Sequence, residues 1–151
     1  MRCFGRFEVF FEEEPLKFRR RQTKELFAFL IDKDGAACTA EEIGAALWED
    51  ESDLAVTKAR IRKLLHDMRH TLRAVGQEHV LIRRSGEAAI RRDAVECDYY
   101  RYIDAATDAA PFRGEYMSQY AWAREKEGWL YFHAEKDGEN SRILEIVTKN
   151  S

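Results

Sequence analysis

The sequence predicts an α+β fold: a small N-terminal antiparallel sheet, three helices, a β-hairpin, and then a short helical segment. Three observations carry this. Met1–Phe11 is rich in aromatic and β-branched residues. Between Thr23 and Val75, apolar residues recur at three-to-four spacing in successive blocks. Val80–Arg91 holds two short apolar runs around Ser85-Gly86, a turn dipeptide. The 151 residues suffice for one ordinary domain, or one small domain with an appendage. With 45% hydrophobic and 35% charged residues, the chain can build a core and stay in solution, which excludes a disordered polymer.

At the N-terminus, Phe7 and Val9 alternate with Glu8, and Gly5 interrupts the run. We expect two short strands around Gly5, a turn at Glu12–Pro15 and a third strand at Leu16–Phe18. The first helix is expected from about Thr23 to Lys33, with Leu26, Phe27, Leu30 and Ile31 on one apolar face and Gly35 as its left-handed terminator. Thr39-Ala40-Glu41-Glu42 is a capping box for the second helix, in which Ile43, Ala46 and Leu47 point inward and Trp48 closes the end. The acidic break Glu49–Asp53 follows, and Ser52 or Asp53 can cap the third helix.

That third helix is the longest pattern, about Leu54 to Val75, ended by Gly76. Leu54, Ile61, Leu65, Met68, Leu72 and Val75 form its apolar stripe, and basic residues cover its flanks and back. After the hairpin the character changes. Asp98–Ala106 reads as helical, with Tyr99, Tyr102 and Ile103 on one face. Pro111 and Gly114 mark a loop, and Gln119 to about His133 is aromatic and helix-permissive. Lys136–Asn140 reads as a turn and Arg142–Thr148 as a last helical piece. The expected units are therefore residues 1–94 and 95–151.

The net charge of −3 hides a segregation. Leu54–Arg92 carries ten basic residues against three acids, whereas Val95–Ser151 carries seven against eleven. A basic block next to an acidic one points to a polyanion surface in one place and a different partner in another. A long basic helix preceded by a short capped helix and followed by an Arg-bearing hairpin is the element order of a helix-turn-helix with a wing. The major groove of duplex DNA admits one α-helix, and narrow minor grooves attract Arg. The plainer alternative is that these cations are only a solvated helix back.

From Cys3 to about Arg92 the chain resembles the OmpR/PhoB-type winged-helix DNA-binding domain, in the version found in SARP-like bacterial transcriptional activators. The carrying residues are Phe4-Gly5-Arg6-Phe7-Glu8-Val9, Leu16-Lys17-Phe18-Arg19, Thr23 to Leu30, Ile43 to Leu47-Trp48, and Leu65-His66-Asp67-Met68-Arg69-His70-Thr71-Leu72. Cys97-Asp98-Tyr99-Tyr100 and Phe112-Arg113-Gly114-Glu115-Tyr116 are similar to the opening of the bacterial transcriptional activator domain. The chain departs from the pattern where Glu87-Ala88-Ala89, rather than an aromatic, follows Gly86, and no receiver domain is expected within these 151 residues.

The resemblance implies sequence-specific duplex DNA binding in transcription regulation, as an activator in the cytoplasm. It places Lys58, Arg60, Arg62, Lys63, His66 and Arg69 toward the major groove. Arg62 and Lys63 are the favoured base-edge contacts, Arg60 and Arg69 suit phosphate equally well, and Arg69 has a structural alternative in a salt bridge. Arg83 and Arg84 are the expected wing contacts. Arg19, Arg20 and Arg21, ahead of the first helix, suit phosphate or are a solvated run. The loop with Glu49, Asp50 and Glu51 is implied to touch RNA polymerase, the alternative being a capped, solvated turn. Homodimers on repeated half-sites fit the small interface of one such domain.

Other classes draw little support. No apolar run approaches the roughly 20 residues that span a bilayer, and the acids after the N-terminal apolar stretch argue against a secretory signal. Cys3, Cys38 and Cys97 are odd in number and contain no CxxC, so neither a disulfide framework nor a zinc finger is expected. His66 and His70 are one helical turn apart, yet no third ligand and no HExxH motif accompany them, so no metal, cofactor or catalysis is expected. The alternative function is a winged-helix protein-interaction module that does not bind DNA.

Overall fold

The computed structural model describes residues 1–134, and in them a single α-helix anchors the core of an α+β fold. Helix α1, Arg21–Asp32, buries every residue from Leu26 to Asp32. Sequence spacing predicts one apolar face. The observed helix is instead covered all round, because residues 97–130 wrap the side that α2, α3 and the hairpin leave open.

This wrapping is polar as well as apolar. The Tyr100 hydroxyl donates to the Ile31 carbonyl (2.6 Å), and the Tyr116 hydroxyl donates to Asp32 Oδ1 (2.7 Å). Lys126 Nζ donates to the Asp32 carbonyl (2.9 Å) and to the Tyr99 hydroxyl (2.7 Å), which in turn donates to Asp34 (3.1 Å). These donors meet the carbonyl-rich, negative end of α1, where orphan acceptors need partners. One hydrophobic cluster therefore runs from Cys3 through α1 and α3 to Tyr116 and Leu130, continuous across residue 94.

The N-terminus is rearranged relative to the three-strand expectation. Strands β1, Phe10–Phe11, and β2, Glu14–Pro15, form a short hairpin with Phe10 opposite Pro15. Around Gly5 (φ +77°) there are only isolated bridges, Arg2 with Glu8 and Phe4 with Tyr116. Leu16–Phe18 forms no strand, although the Leu16 amide still donates to the Val9 carbonyl (2.8 Å). The reason is a distant partner. Gly5 N donates to the Glu115 carbonyl (2.8 Å) and Met117 N to the Cys3 carbonyl (2.8 Å), so residues 115–118 take the place of a neighbouring strand.

Strand β3, Cys38–Thr39, leads directly into helix α2, Ala40–Leu47. Thr39 caps α2 as expected, its hydroxyl accepting from Glu42 N (3.2 Å). The return bond differs: that hydroxyl donates to the Glu42 carboxylate (3.2 Å), and the Thr39 backbone is committed to the sheet. Helix α3, Leu54–Ala74, is capped by Asp53 accepting from Ala55 N (2.9 Å). Of its expected stripe, Ile61, Leu65, Met68 and Leu72 are buried. Leu54 is exposed because it precedes the crossing with α2, which lies at Gly44 and Thr57. Thr57, Leu64 and Asp67 are buried in addition.

Strands β4, Leu81–Arg84, and β5, Glu87–Ile90, form the predicted hairpin, and β3 adds to β5, giving the order β3-β5-β4. Helix α4, Asp98–Ile103, and a helix over 124–134 complete the described chain. Tyr99 and Tyr100 of α4 are buried, as is Tyr116 in the segment between the two helices, while Tyr102 and Ile103 are half-buried. The turn expected at Lys136–Asn140 and the helical piece at Arg142–Thr148 lie outside the described residues. Among the described residues no helix is long and apolar enough to cross a membrane.

Candidate nucleic-acid interface

Residues spaced by three or four share one ridge of a helix. On α3 this rule aligns Lys58, Arg62, His66, Arg69 and Arg73 beside the buried stripe. Lys58, Arg62, His66 and Arg73 are exposed and Arg69 is half-buried; Lys63 is exposed on the neighbouring row. The hairpin stands against the N-terminal half of this ridge. Its register pairs Arg83 with Ala88 and Arg84 with Glu87, so both arginines sit next to the Ser85-Gly86 turn. Gly86 adopts φ +73° in open space, the conformation such a turn needs.

Between helix and hairpin lies a cleft of about 260 Å³. Its rim is Lys58, Arg62, Arg83 and Arg84, its floor is Ile43, Ile61, Leu65 and Ala88, and its one acid is Glu87. Among the described residues, no carboxylate lies within 4.0 Å of Lys58, Arg62, Lys63, Arg83 or Arg84. Four cations from two elements thus converge with their positive charge uncompensated by a direct ion pair. Cys38 also borders the cleft; burial pushes its thiol up to about 11, so it is protonated and inert near neutrality.

Other expected contacts are engaged within the protein. Arg20 Nη1 lies 2.9 Å from Oδ2 of the buried Asp67, so this arginine ties the start of α1 to the middle of α3 instead of facing outward. Both atoms are shut from solvent, and they meet without hydrogen-bond alignment. Arg60 lies 3.4 Å from Glu51 and over the Trp48 ring (5.5 Å to its centroid). Arg69 lies 3.7 Å from Glu78, realising the salt-bridge alternative, and Arg73 binds the same carboxylate through two nitrogens (2.8 and 3.0 Å). The Arg73 hydrogen bond holds the Glu78 carboxyl below its ordinary value of 4.5. The carboxylate stays ionised and offsets part of the ridge's C-terminal charge.

Arg19 and Arg21 are exposed at the start of α1, whereas Arg20 is half-buried against Asp67. In the acidic loop, Glu49 and Asp50 are exposed, whereas Glu51 is half-buried against Arg60. Among the described residues no three His, Cys, Asp or Glu side chains are grouped to hold a metal ion.

Sequence spacing missed two features. The two-residue β3 is too short to register as a strand, although it brings Cys38 and Ala40 to the cleft. Gly44 has no sequence signal for its role, which is to let α2 approach Thr57: a Cβ there would meet Thr57 Cγ2 at 2.6 Å. Compared with known proteins, the chain matches no family model and no curated protein.

Proposed function

We propose that this chain is a winged helix-turn-helix protein that binds duplex DNA sequence-specifically and activates transcription. In this reading α3 enters the major groove and the β4–β5 hairpin is the wing over the adjacent minor groove. The observation that carries it is the convergence of Lys58, Arg62, Arg83 and Arg84 on one exposed cleft with no acid paired to them among the described residues. Phosphate neutralisation supplies most of the affinity and bidentate Arg contacts to base edges supply discrimination.

Roles follow from position. Arg62 and Lys63 read base edges, Lys58 and His66 flank them, and Arg83 and Arg84 reach the minor groove. Arg19 and Arg21 clamp phosphate beside the N-terminus of α1, where amides and the helix dipole favour anions. Arg20, Arg60 and Arg69 shape the surface through their ion pairs. Glu49 and Asp50 offer an acidic surface to RNA polymerase. Tandem or two-fold dimers on repeated half-sites enlarge an interface that is small for one copy.

Titration with a mixed-sequence duplex at several salt concentrations tests the reading. The logarithm of affinity should fall linearly with the logarithm of salt, with a slope of roughly −0.9 per phosphate neutralised. Removing Arg19 and Arg21 together should flatten it by about two phosphates' worth, whereas removing Arg62 and Lys63 should relax sequence preference. A flat curve for the unmodified protein overturns the reading. It favours the interaction module instead, which the exposed Trp129, Tyr131 and Phe132 would then serve.

A further inference from the structure

We propose that the α3–hairpin cleft also takes a small anionic amphiphile: an apolar ring or short chain carrying one carboxylate, sulfonate or phosphate group. Such a ligand would bind as a free molecule and compete with duplex DNA for the same cations. The inference shares its cations with the proposed function but rests on a different property of the cleft, its apolar floor.

A surface built only for phosphate needs cations and amides, with no hydrophobic recess beneath them. Here the recess is present. The edges of Ile43, Ile61, Leu65 and Ala88 lie under the rim, and Ala40, half-buried at the start of α2, forms a side wall. The size sets the class of occupant. At about 260 Å³ the cleft falls just under the roughly 300–1,000 Å³ typical of pockets for drug-sized ligands, so one ring or a short chain fits and a large molecule does not.

Charge complementarity sets the sign. The rim carries four cations and one acid, and the acid, Glu87, stands opposite Arg84 at the hairpin tip and forms no ion pair within 4.0 Å among the described residues. Lys58 and Arg62 are one helical turn apart, and Arg83 is on the opposite wall, so an anionic head group can be held from two sides while the apolar part enters. A duplex draws on the same rim from outside. Its phosphates and the ligand's head group therefore cannot be held there together.

The test uses the full 151-residue chain and benzenesulfonate, one apolar ring with one anionic group, with binding read by isothermal titration calorimetry. The probe should bind one site. Arg62→Ala and Arg83→Ala should each weaken it about tenfold, the order expected for one charge-assisted hydrogen bond. Ala40→Leu, which fills the recess, should weaken it by a similar factor, whereas Trp129→Ala should leave it unchanged. Mixed-sequence duplex should displace the probe, and inorganic sulfate at equal ionic strength should not.

No binding overturns the proposal. So does binding abolished by Trp129→Ala but untouched by the arginine variants, because the probe then sits on the exposed aromatic helix. Equal displacement by sulfate also overturns it, since the recess would contribute nothing. Circular dichroism checks the fold, and if Ala40→Leu unfolds, the two exposed arginine variants still decide. The two readings fail separately: duplex binding without probe binding removes only the ligand site, and cleft-dependent probe binding without duplex binding removes only the DNA reading.

Discussion

Arg20→Ala separates a structural arginine from a DNA-contacting one. The substitution leaves Asp67, only 7% exposed, without its cation in the middle of α3. Breaking a buried ion pair from one side costs about 3–5 kcal/mol, because the remaining charge stays desolvated. The paired atoms are shut from solvent, but Arg20 retains 36% of its side-chain surface, so the lower end of that range applies, about 3 kcal/mol. Against a typical total stability of about 5–15 kcal/mol that is a large fraction. With a urea slope of about 1–3 kcal/mol per molar, the midpoint should fall by about 1 M or more. Far-UV circular dichroism during urea titration reads it. The double variant Arg20→Met with Asp67→Leu should recover most of the loss, since an apolar pair of similar volume replaces both charges. If Arg20→Ala leaves the midpoint unchanged and instead flattens the salt dependence of duplex binding by about 0.9, Arg20 is a phosphate contact and the reasoning is refuted.

Three further outcomes are expected. Gly44→Ala gains about 1 kcal/mol of helix propensity but loses about 1–3 kcal/mol to overpacking against Thr57. It should therefore be destabilising, and Thr57→Ser, which deletes the offending methyl, should turn the combined variant's melting temperature back upward. Tyr116→Phe removes the donor that meets buried Asp32 at 2.7 Å and should lower stability by about 1–3 kcal/mol in denaturant titration. Burial raises the Glu25 carboxyl above its ordinary 4.5, so the folded state disfavours its charged form at neutral pH. Glu25→Gln should therefore melt higher than the unmodified protein at pH 7. The difference should shrink as pH falls through the raised value and vanish below about 4.5; a constant offset across pH would contradict this assignment.

Helices were legible in the sequence where local periodicity decides them. The bounds of α3, its Asp53 cap and the Thr39 cap of α2 follow from patterns a few residues long. The hairpin was legible for the same reason, since Ser85-Gly86 fixes its register. What spacing did not reveal depends on distant partners. Strand pairing around Gly5 is replaced by contacts with residues 115–118, more than a hundred positions away. The full burial of α1 depends on Tyr100, Tyr116 and Lys126 reaching its end. The same limit governs the site. Spacing identified which residues are cationic and on which ridge, but the acids that engage Arg20 and Arg69, namely Asp67 and Glu78, come from other elements or beyond the helix end. Arg60 was equally opaque, since its partners Glu51 and Trp48 belong to the preceding loop and helix end.

The cleft is held open by a chain of local constraints and does not depend on direct contact between its two cationic walls. Thr39 closes β3 opposite Glu87 of the hairpin and also caps α2, so the hairpin's position fixes where α2 begins. Four residues into α2, Gly44 abuts Thr57 with no room for a methyl group, so α2 in turn fixes α3. One turn further along α3 stand Ile61 and Arg62, floor and rim of the cleft. Two walls carrying like charge repel, and a flexible hinge between them would let the arginines drift apart. Two tight junctions in series, a capped strand end and a glycine-to-threonine contact, oppose that repulsion. The converging cations are thereby held in place by the fold itself, as the proposed anion binding requires.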